Sequence, residues 1–315
     1  MTLREQINTL GENGTPFLFC IDYKAKNGFA YPLDKIPHEI SYSFDKNIQH
    51  TIYKVLAITD KNPITKEIYK QKIEAVKNRI KNGDIYMANL TAITDIELNC
   101  ELEEIFSASK APYRLLVKDK FVVSSPEAFI NIKNGKIYTY PMKGTAVYKG
   151  KQSIDDILKD GKELSEHTMT VDLLRNDLSI IADRVTVKKF RYPIIAKAGN
   201  KELIQIVSEI VGDLRDGYKK KLGDILFSLL PAGSITGTPK KKCLEVLEQI
   251  EGFERGYFCG VFGIFDGEEL QSAVSIRFIE KTENGYIYKS GGGITLDSDW
   301  EREYDEMVEK VYIAL

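Results

Sequence analysis

Two pairs of glutamates, each pair three residues apart in a helix-like segment, are the residues best suited to chemistry in this sequence. Glu163 and Glu166 lie on or beside the apolar side of the helix predicted for "ELSEHTMTVDLLRNDLSIIA". Glu303 and Glu306 repeat the arrangement in "DWEREYDEMVEKVYIAL", with Lys310 on the same flank. Carboxylates beside a buried face are costly unless cations or donors meet them. If the two pairs converge, their oxygen ligands suit Mg²⁺ and an anionic substrate.

Either pair alone has a simpler explanation. Acidic residues in the first turn stabilise a helix N-terminus, and an exposed pair is ordinary surface charge. Two matched pairs in one chain favour the metal site. Histidine offers little alternative, because only His38, His50 and His167 occur and only His167 lies in a helix-like stretch as a plausible base.

Three further segments suit a polar, anionic substrate. The glycines of "SGGGITLDSD" let backbone N–H groups approach an anion, although a bend would also use them. Arg277 interrupts the apolar strand "SAVSIRFIE" and is a natural partner for a carboxylate. The segment "PAGSITGTPKKK", which includes Ser234, does not have the phosphate-loop spacing, but its hydroxyl residues suit a substrate wall. Its end is explained by Thr238 as a helix N-cap and Pro239 as the first helical residue.

The turn "TYPMKGTA" contains a lysine, Lys143, sixteen residues after Glu127 of "SSPEAF". A lone lysine in a turn is usually a solvated side chain. A lysine whose pKa is lowered by burial or by a nearby cation is a nucleophile, and a glutamate opposite it could act as an acid. The residues alone leave both interpretations open.

The elements that must position these residues indicate an α+β fold. "DIYMANLTAITDIEL" is typical of an extended strand, and "EAFINIKNGKIYTYP" predicts a hairpin. Its turn is Asn134–Gly135, of type I′, and we expect Asp266–Gly267 and Asn284–Gly285 to form hairpin turns of the same type. Hairpins joined directly to one another predict antiparallel sheet. Helical periodicity is found at 64–83 and near 152–182, 219–229, 239–251 and 299–314.

Neither an internal repeat nor a low-complexity linker divides the sequence, so we expect one composite domain over 1–315. Residues 1–60 are expected to form a short strand-rich lead-in to the rest of the domain, 65–315. The composition is that of a globular protein, with 29% charged residues, 43% apolar residues and a net charge of −2. This charge gives no general attraction to nucleic acid or to an anionic membrane.

Targeting and redox signals are weak. No apolar run approaches the roughly 18 residues that a membrane span needs, and "MTLREQINTLGENG" lacks the apolar core of a signal peptide. The four cysteines are far apart and form no C-x-x-C, so neither a disulfide framework nor a thiolate zinc site is indicated. We therefore expect a cytoplasmic protein with neither a nucleic-acid nor a membrane partner.

Seven motifs together carry a resemblance to a known family, the chorismate-utilising enzymes, from about residue 65 to the end. They are "SSPEAF", "PMKGT", "EHTMTVDLLRND", "PAGSITGTPK", "FCGVFGIFDG", "AVSIRF" and "GGGITLDSD" with "EYDE". The resemblance implies two stacked antiparallel sheets flanked by helices, with chorismate and Mg²⁺ held between them.

The resemblance also implies roles for single residues. The glutamates corresponding to Glu163, Glu166, Glu303 and Glu306 surround the Mg²⁺, which grips the ring carboxylate. The substrate-binding residues implied are Arg277, Ser234, Gly291, Gly292, Gly293, Lys310, Gln205 and Phe258. Of these, the side chain of Arg277 and the glycine backbone face a substrate carboxylate.

Lys143 distinguishes members of the family. Anthranilate and isochorismate synthases usually carry alanine in this turn, whereas the enzymes that form 4-amino-4-deoxychorismate carry lysine. Lys143 therefore resembles a nucleophile that adds to C2 of the ring and expels the C4 hydroxyl. Glu127 resembles the general acid and base that assists departure of the hydroxyl and entry of ammonia at C4.

The resemblance thus implies synthesis of 4-amino-4-deoxychorismate, for p-aminobenzoate and folate, with ammonia supplied by a glutamine amidotransferase on a separate chain. The alternatives are anthranilate synthase, isochorismate synthase and a non-catalytic chorismate-binding subunit. Some positions depart from the family pattern. Gln205 replaces a histidine in "QIVS", Phe258 stands where tyrosine or tryptophan is common, and "GTAVYKG" lacks the usual Pro-Arg. The lead-in is short and contains no counterpart of the tryptophan-binding motif.

Overall fold

The computed structural model describes residues 1–44, 55–198 and 201–315. Part of the predicted lead-in, including His50, lies outside the described residues. The chain forms two compact units, each assembled from three separate segments. The first unit contains Met1–Phe17, Ala128–Ser234 and Gly263–Ser272, and the second contains Leu18–Glu127, Ile235–Phe262 and Ala273–Leu315.

Helices and strands are both abundant in the described ranges. The α-helices are α1 (Leu3–Glu12), α2 (Lys66–Lys81), α3 (Leu102–Ala108), α4 (Lys151–Lys159), α5 (Gly161–Ser179), α6 (Leu222–Leu229), α7 (Lys240–Glu251) and α8 (Trp300–Glu309). The first strands are β1 (Phe17–Ile21), β2 (Gly28–Pro32), β3 (Ile40–Ser43), β4 (Ile58–Pro63), β5 (Met87–Leu98), β6 (Tyr113–Val117), β7 (Phe121–Ser125) and β8 (Ala128–Lys133). The remaining strands are β9 (Lys136–Thr139), β10 (Met142–Val147), β11 (Ala182–Ala198), β12 (Lys201–Leu214), β13 (Gly237–Thr238), β14 (Val261–Phe265), β15 (Leu270–Val274), β16 (Phe278–Thr282) and β17 (Gly285–Ile294).

The strands form two antiparallel sheets. Among the described residues, one sheet has the order β10-β12-β9-β8-β15-β14-β1-β2, with β11 beside β12. The other, which belongs to the second unit, has the order β13-β5-β17-β16-β7-β6-β3, with β4 beside β5. The prediction of an α+β fold with two antiparallel sheets flanked by helices is confirmed. The expectation that the sheets are stacked around a substrate stays a prediction.

One of the three predicted hairpin turns is correct in position. Asn134 and Gly135 have φ angles of 51° and 71°. They connect β8 to β9 with Lys133 opposite Lys136. A type I′ turn needs positive φ at both central residues, and asparagine and glycine tolerate this best. Local chemistry alone therefore fixes this hairpin.

The other two turns differ from the prediction. Asp266 begins a four-residue connection between β14 and β15, in which its side chain accepts hydrogen bonds from the backbone of Glu268 and Glu269. The third hairpin closes on the pair Thr282 and Gly285, so its loop is one residue earlier than Asn284–Gly285. The position of each turn follows the register of the two strands that it connects, which the Asp-Gly and Asn-Gly dipeptides do not determine.

Three helix boundaries also differ from the prediction. The pattern at 152–182 is two helices, because Asp160 is extended and its side chain caps α5 by accepting from the Glu163 backbone at 3.0 Å. Thr238 belongs to β13, and Pro239 is the N-cap of α7. The last helix ends at Glu309 rather than near 314. Val311 is fully buried beyond it, which draws the chain out of the helix.

Apolar packing fixes the helices that carry the candidate site. In the second unit, α2, α7 and α8 pack on β5 and β17 through a cluster that includes Ile73, Val76, Leu90, Val246 and Met307. Each of these side chains is at most 1% exposed, and burial of such a side chain is worth about 1.5–3 kcal/mol. In the described residues, no helix is both long and apolar enough to cross a membrane.

Candidate active site

Lys143 lies at a break in the ladder between β10 and β12. Met142 is opposite Val207, whereas Thr145 is opposite Gln205, so β10 contains one extra residue here. Such a bulge turns a side chain away from the regular alternation of a strand. Gly144, in the same break, has a φ of 87°, which favours glycine. The sequence "MKGT" thus forms a bulge that displays Lys143.

Gly144 has a second reason to be glycine. A Cβ atom at this position would lie 3.0 Å from Oε2 of Glu163 on α5. The neighbouring carboxylate would have to move to accommodate any side chain. The bulge therefore brings the lysine-bearing turn and one of the predicted metal ligands together within the first unit.

The Lys143 side chain is half-buried. Within the described part of the chain, its Nζ atom has neither a hydrogen-bond nor an ion-pair partner. A lysine paired with a carboxylate is held in its charged form, which is not nucleophilic. Among the described residues, no carboxylate is paired with Lys143 in this way.

Behind the bulge lies His167, which is 0% exposed. Its Nε2 is 2.7 Å from Oγ of Ser208, which also accepts a hydrogen bond from the Arg191 backbone at 2.9 Å. Burial lowers the pKa of His167, and the adjacent main chain of Lys143 offsets this in part, although Nδ1 falls short of a regular hydrogen bond. The position does not support the predicted role of a general base, because no face of the ring is open to a substrate.

In the second unit, the glutamates of α8 face the glycines of β17. Ser298 donates a hydrogen bond to Glu303 at 2.8 Å. Lys310 forms an ion pair with Glu306 at 2.6 Å and donates to the Gly291 carbonyl at 2.8 Å. The structure therefore brings Glu303, Glu306, Lys310 and the glycine strand together.

The glycines of this segment do not form a bend, and anion binding by their backbone stays a prediction. Gly291, Gly292 and Gly293 continue β17 and pair with Thr91, Leu90 and Asn89 of β5. A Cβ at Gly291 would lie 2.1 Å from the Leu90 carbonyl oxygen, so this glycine permits close strand approach. A Cβ at Gly292 would lie 3.4 Å from Glu303 Oε2 and 3.6 Å from Glu306 Oε1. The second glycine thus leaves bare backbone beside the two carboxylates.

The donor chemistry of both glutamate pairs fits a hard divalent cation. Each pair offers carboxylate oxygens; Gly144 lies beside Glu163, and Gly292 lies beside both Glu303 and Glu306. In the described ranges, no group of three or more His, Cys, Asp and Glu side chains is assembled to hold a metal ion. Glu163 and Glu166 belong to one unit, and Glu303 and Glu306 belong to the other. The four-ligand Mg²⁺ site stays a prediction.

Glu127 ends the first segment of the second unit. Its N–H donates to Ser125 Oγ at 3.2 Å and its carbonyl accepts from the Val274 backbone at 3.1 Å. The half-buried carboxylate lies near Cys259, whose thiol pKa is raised to about 12, chiefly by burial. Lys143 belongs to the other unit, so the lysine–glutamate pairing also stays a prediction.

The other predicted substrate-binding residues have separate surroundings. Arg277 precedes β16, and its Nε donates to the Tyr312 hydroxyl at 3.0 Å. Gln205 is half-buried on β12 and Ser234 is half-buried in a short turn. Phe258 is 3% exposed, with its ring centroid 5.9 Å from that of Phe278. Substrate contact by these residues stays a prediction.

The sequence did not reveal a buried ion pair in the second unit. Arg255 and Glu251 are 2% and 4% exposed and lie 2.6 Å apart. Glu251 also accepts from the backbone and hydroxyl of Thr91 at 2.8 and 2.7 Å. Arg255 donates to the carbonyls of Ile235 and Asn89. Four-residue spacing gives a possible helical pair, but nothing in the sequence indicates that it anchors the turn before β13.

Comparisons with known proteins agree with these features. Residues 25–315 match the family model described as "chorismate binding enzyme". An "Uncharacterized PabA-like protein" of Haemophilus influenzae is 42% identical over 99% of this chain and 96% of its own length. Aminodeoxychorismate synthase component 1 of Bacillus subtilis is 30% identical over 79% of this chain and 55% of its own length.

A solved structure extends the likeness to three dimensions. Anthranilate synthase component I from Streptococcus pneumoniae superimposes with a TM-score of 0.70 and 26% sequence identity. The match covers 80% of this chain and 58% of that one. The family match over nearly the whole chain and the relatives at 30% identity or more lead to one conclusion: the chain belongs to the chorismate-binding enzyme family.

Proposed function

We propose that this chain converts chorismate and ammonia to 4-amino-4-deoxychorismate, the precursor of p-aminobenzoate and folate. The observation that carries the proposal is Lys143. It stands on a bulge of β10, half-buried, with its amine unpaired among the described residues. The alternative members of the family have alanine here, which offers no nucleophile.

The proposed chemistry uses Lys143 and Glu127. The neutral Nζ of Lys143 forms a bond to C2 of chorismate, both ring double bonds shift (to C1=C6 and C4=C5), and the C4 hydroxyl leaves as water with a proton from Glu127. Ammonia then adds at C4 and gives a proton to Glu127, while the bond between C2 and Nζ breaks. The lysine is regenerated, and the net exchange is ammonia for water.

Mg²⁺ is the proposed cofactor, with Glu163, Glu166, Glu303 and Glu306 as its ligands. When bound, it would neutralise these carboxylates and hold a carboxylate of the substrate. Arg277, Lys310 and the Gly291–Gly293 backbone would orient the substrate, with Ser234, Gln205 and Phe258 completing its surroundings. We expect chelation by EDTA to abolish turnover and added Mg²⁺ to restore it.

Ammonia is proposed to come from a glutamine amidotransferase on a separate chain. The four cysteines are buried in the described structure, so none resembles an exposed glutaminase nucleophile. We therefore expect activity with ammonium salts alone and no use of glutamine without a partner. Glutamine hydrolysis by the purified chain would contradict this.

Anthranilate synthesis is the second candidate. It is favoured by the likeness to anthranilate synthase component I, at 26% identity. That reaction places the amino group at C2, and a lysine nucleophile at the same carbon would compete with ammonia. Lys143 therefore argues for the first candidate.

Product identification tests the proposal. The chain is incubated with chorismate, Mg²⁺ and ammonium salt, and the products are separated by chromatography and identified by mass spectrometry. We expect 4-amino-4-deoxychorismate, and we expect its loss in the Lys143→Ala variant. Anthranilate or isochorismate as the main product of the unmodified chain would refute the proposal, as would the absence of any product.

A further inference from the structure

The backbone at Arg277 is held in an uncommon conformation. Its φ is 53°, in the left-handed region that residues with a side chain rarely adopt. Its carbonyl accepts a hydrogen bond from the Ser124 backbone at 3.2 Å, which ties this point to the neighbouring strand β7. The starting direction of the Arg277 side chain is therefore fixed by the sheet.

The guanidinium of Arg277 is held from one side by Tyr312. Its Nε donates to the Tyr312 hydroxyl at 3.0 Å, and its central carbon lies 4.9 Å from the centroid of the Tyr312 ring. Within the described ranges, neither terminal nitrogen of this guanidinium has a hydrogen-bond or ion-pair partner. The paired edge that binds carboxylates in a bidentate manner is thus open.

Tyr312 lies near the end of the chain, but its backbone is anchored. The preceding Val311 is 0% exposed and belongs to an apolar cluster that Ile313 and Leu315 also contact. The Ala314 carbonyl accepts from the Lys110 backbone at 3.3 Å. The Tyr312 side chain, 43% exposed, therefore projects from a fixed segment directly after α8.

We propose that Tyr312 is a positioning residue that orients Arg277 toward a carboxylate of the substrate. This inference rests on the proposed function, because it takes Arg277 as a carboxylate-binding residue. A tyrosine hydroxyl is a neutral acceptor, whereas aspartate or glutamate in its place would neutralise the guanidinium. The Tyr312 hydroxyl restrains Nε of Arg277, and the Tyr312 ring packs against the guanidinium plane. The full positive charge of Arg277 remains available to the substrate carboxylate.

Chorismate binding in the absence of ammonia tests this inference. Its affinity is measured by calorimetry, with Mg²⁺ present, for the unmodified chain, Tyr312→Phe, Arg277→Ala and the double variant. We expect Tyr312→Phe to weaken binding about five- to tenfold, because it removes one hydrogen bond to a charged group and keeps the ring. In steady-state assays KM should rise by a similar factor, and kcat should change less than about twofold.

A matched control is Tyr286→Phe. The Tyr286 hydroxyl donates to Glu101 at 3.0 Å, and its ring packs against the same apolar cluster that holds Val311. We expect unchanged chorismate binding in this variant. We also expect Tyr312→Phe to have no further effect in the Arg277→Ala background, because a positioning residue acts only through the group that it positions.

Unchanged binding by Tyr312→Phe, or an equal loss in the Arg277→Ala background, would overturn the inference. The same experiment distinguishes failure of this inference from failure of the proposed function. If the unmodified chain binds chorismate and the Tyr312 variant binds equally well, only the inference about Tyr312 fails. If the unmodified chain does not bind chorismate, both fail.

Discussion

Arg255 and Arg277 show two uses of the same side chain in the second unit. Arg255 is 2% exposed and all three of its nitrogens donate: to both carboxylate oxygens of Glu251 and to the carbonyls of Ile235 and Asn89. Arg277 is half-buried and uses only Nε among the described residues. An arginine whose three nitrogens all bond to the protein joins parts of the scaffold, whereas one with open terminal nitrogens is available to a ligand.

The lysines show the same contrast. Lys289 is 4% exposed, and its Nζ is 2.6 Å from Glu280 and 3.1 Å from the Arg255 carbonyl. Lys143 is half-buried without such partners in the described structure. Partner count thus separates structural cations from candidate functional cations better than burial alone. The predictions that replace Lys143, Arg255 or Arg277 test this distinction.

Removal of Lys143 should have the largest effect on turnover. We expect Lys143→Ala to lower the ammonia-dependent rate on the order of a thousandfold, because the lost step is covalent. Chorismate binding and the unfolding midpoint should change little. Steady-state kinetics, calorimetry and thermal unfolding measure the three quantities.

The Lys143→Arg variant distinguishes a role of Lys143 as a nucleophile from a role as a cation. It keeps the positive charge but removes the attacking amine, so we expect it to be as inactive as Lys143→Ala. An arginine variant that retains much of the activity would reduce Lys143 to electrostatics. The choice among the sister synthases would then be open again.

Removal of Arg255 should have the largest effect on stability. Arg255→Ala leaves the Glu251 carboxylate buried without its cation, which costs about 3–5 kcal/mol. Urea unfolding followed by circular dichroism should show a lower midpoint than in the unmodified chain. An unfolding midpoint equal to that of Arg277→Ala would contradict the assignment of Arg255 to the scaffold.

Removal of Arg277 should act on substrate affinity. We expect Arg277→Ala to raise KM for chorismate about 10- to 100-fold, because a charged hydrogen-bonding partner of a carboxylate is lost. The unfolding free energy should change by less than about 1 kcal/mol. A variant with normal KM would exclude Arg277 from the substrate site.

The smallest effect is expected for thiol modification. Burial raises the pKa of Cys243 and of Cys259 to about 12, so both thiols stay protonated and shielded at pH 8. We expect iodoacetamide to leave both unmodified in the folded chain and to alkylate both in urea. Rapid labelling of either thiol in the folded chain would contradict this burial.

Features with a local cause could be predicted from the sequence. The Asn134–Gly135 turn depends on two residues that tolerate positive φ, and it occurs where expected. The three-residue spacing also identified Glu303 and Glu306, which the structure places beside Gly292. In both cases the sequence contains the determining interaction within one turn or one helix.

Features that depend on distant segments could not be predicted. The end of α8 at Glu309 is set by burial of Val311 against residues far away in the chain. Arg255 donates hydrogen bonds to the carbonyls of Asn89 and Ile235, which no spacing rule connects to it. Tyr312 has no sequence signal, because its relevance follows only from contact with Arg277.

Detection of a bond between Lys143 and substrate carbon is the most direct test of the proposed chemistry. The unmodified chain and the Glu127→Gln variant are incubated with chorismate and Mg²⁺ without ammonia, digested, and examined by peptide mass spectrometry. We expect the Lys143 peptide of the unmodified chain to carry chorismate minus one water. Glu127→Gln should carry less adduct, because Glu127 supplies the proton for the departing hydroxyl, and Lys143→Ala should carry none. Unmodified Lys143 in both chains, together with an active Lys143→Arg enzyme, would contradict covalent catalysis.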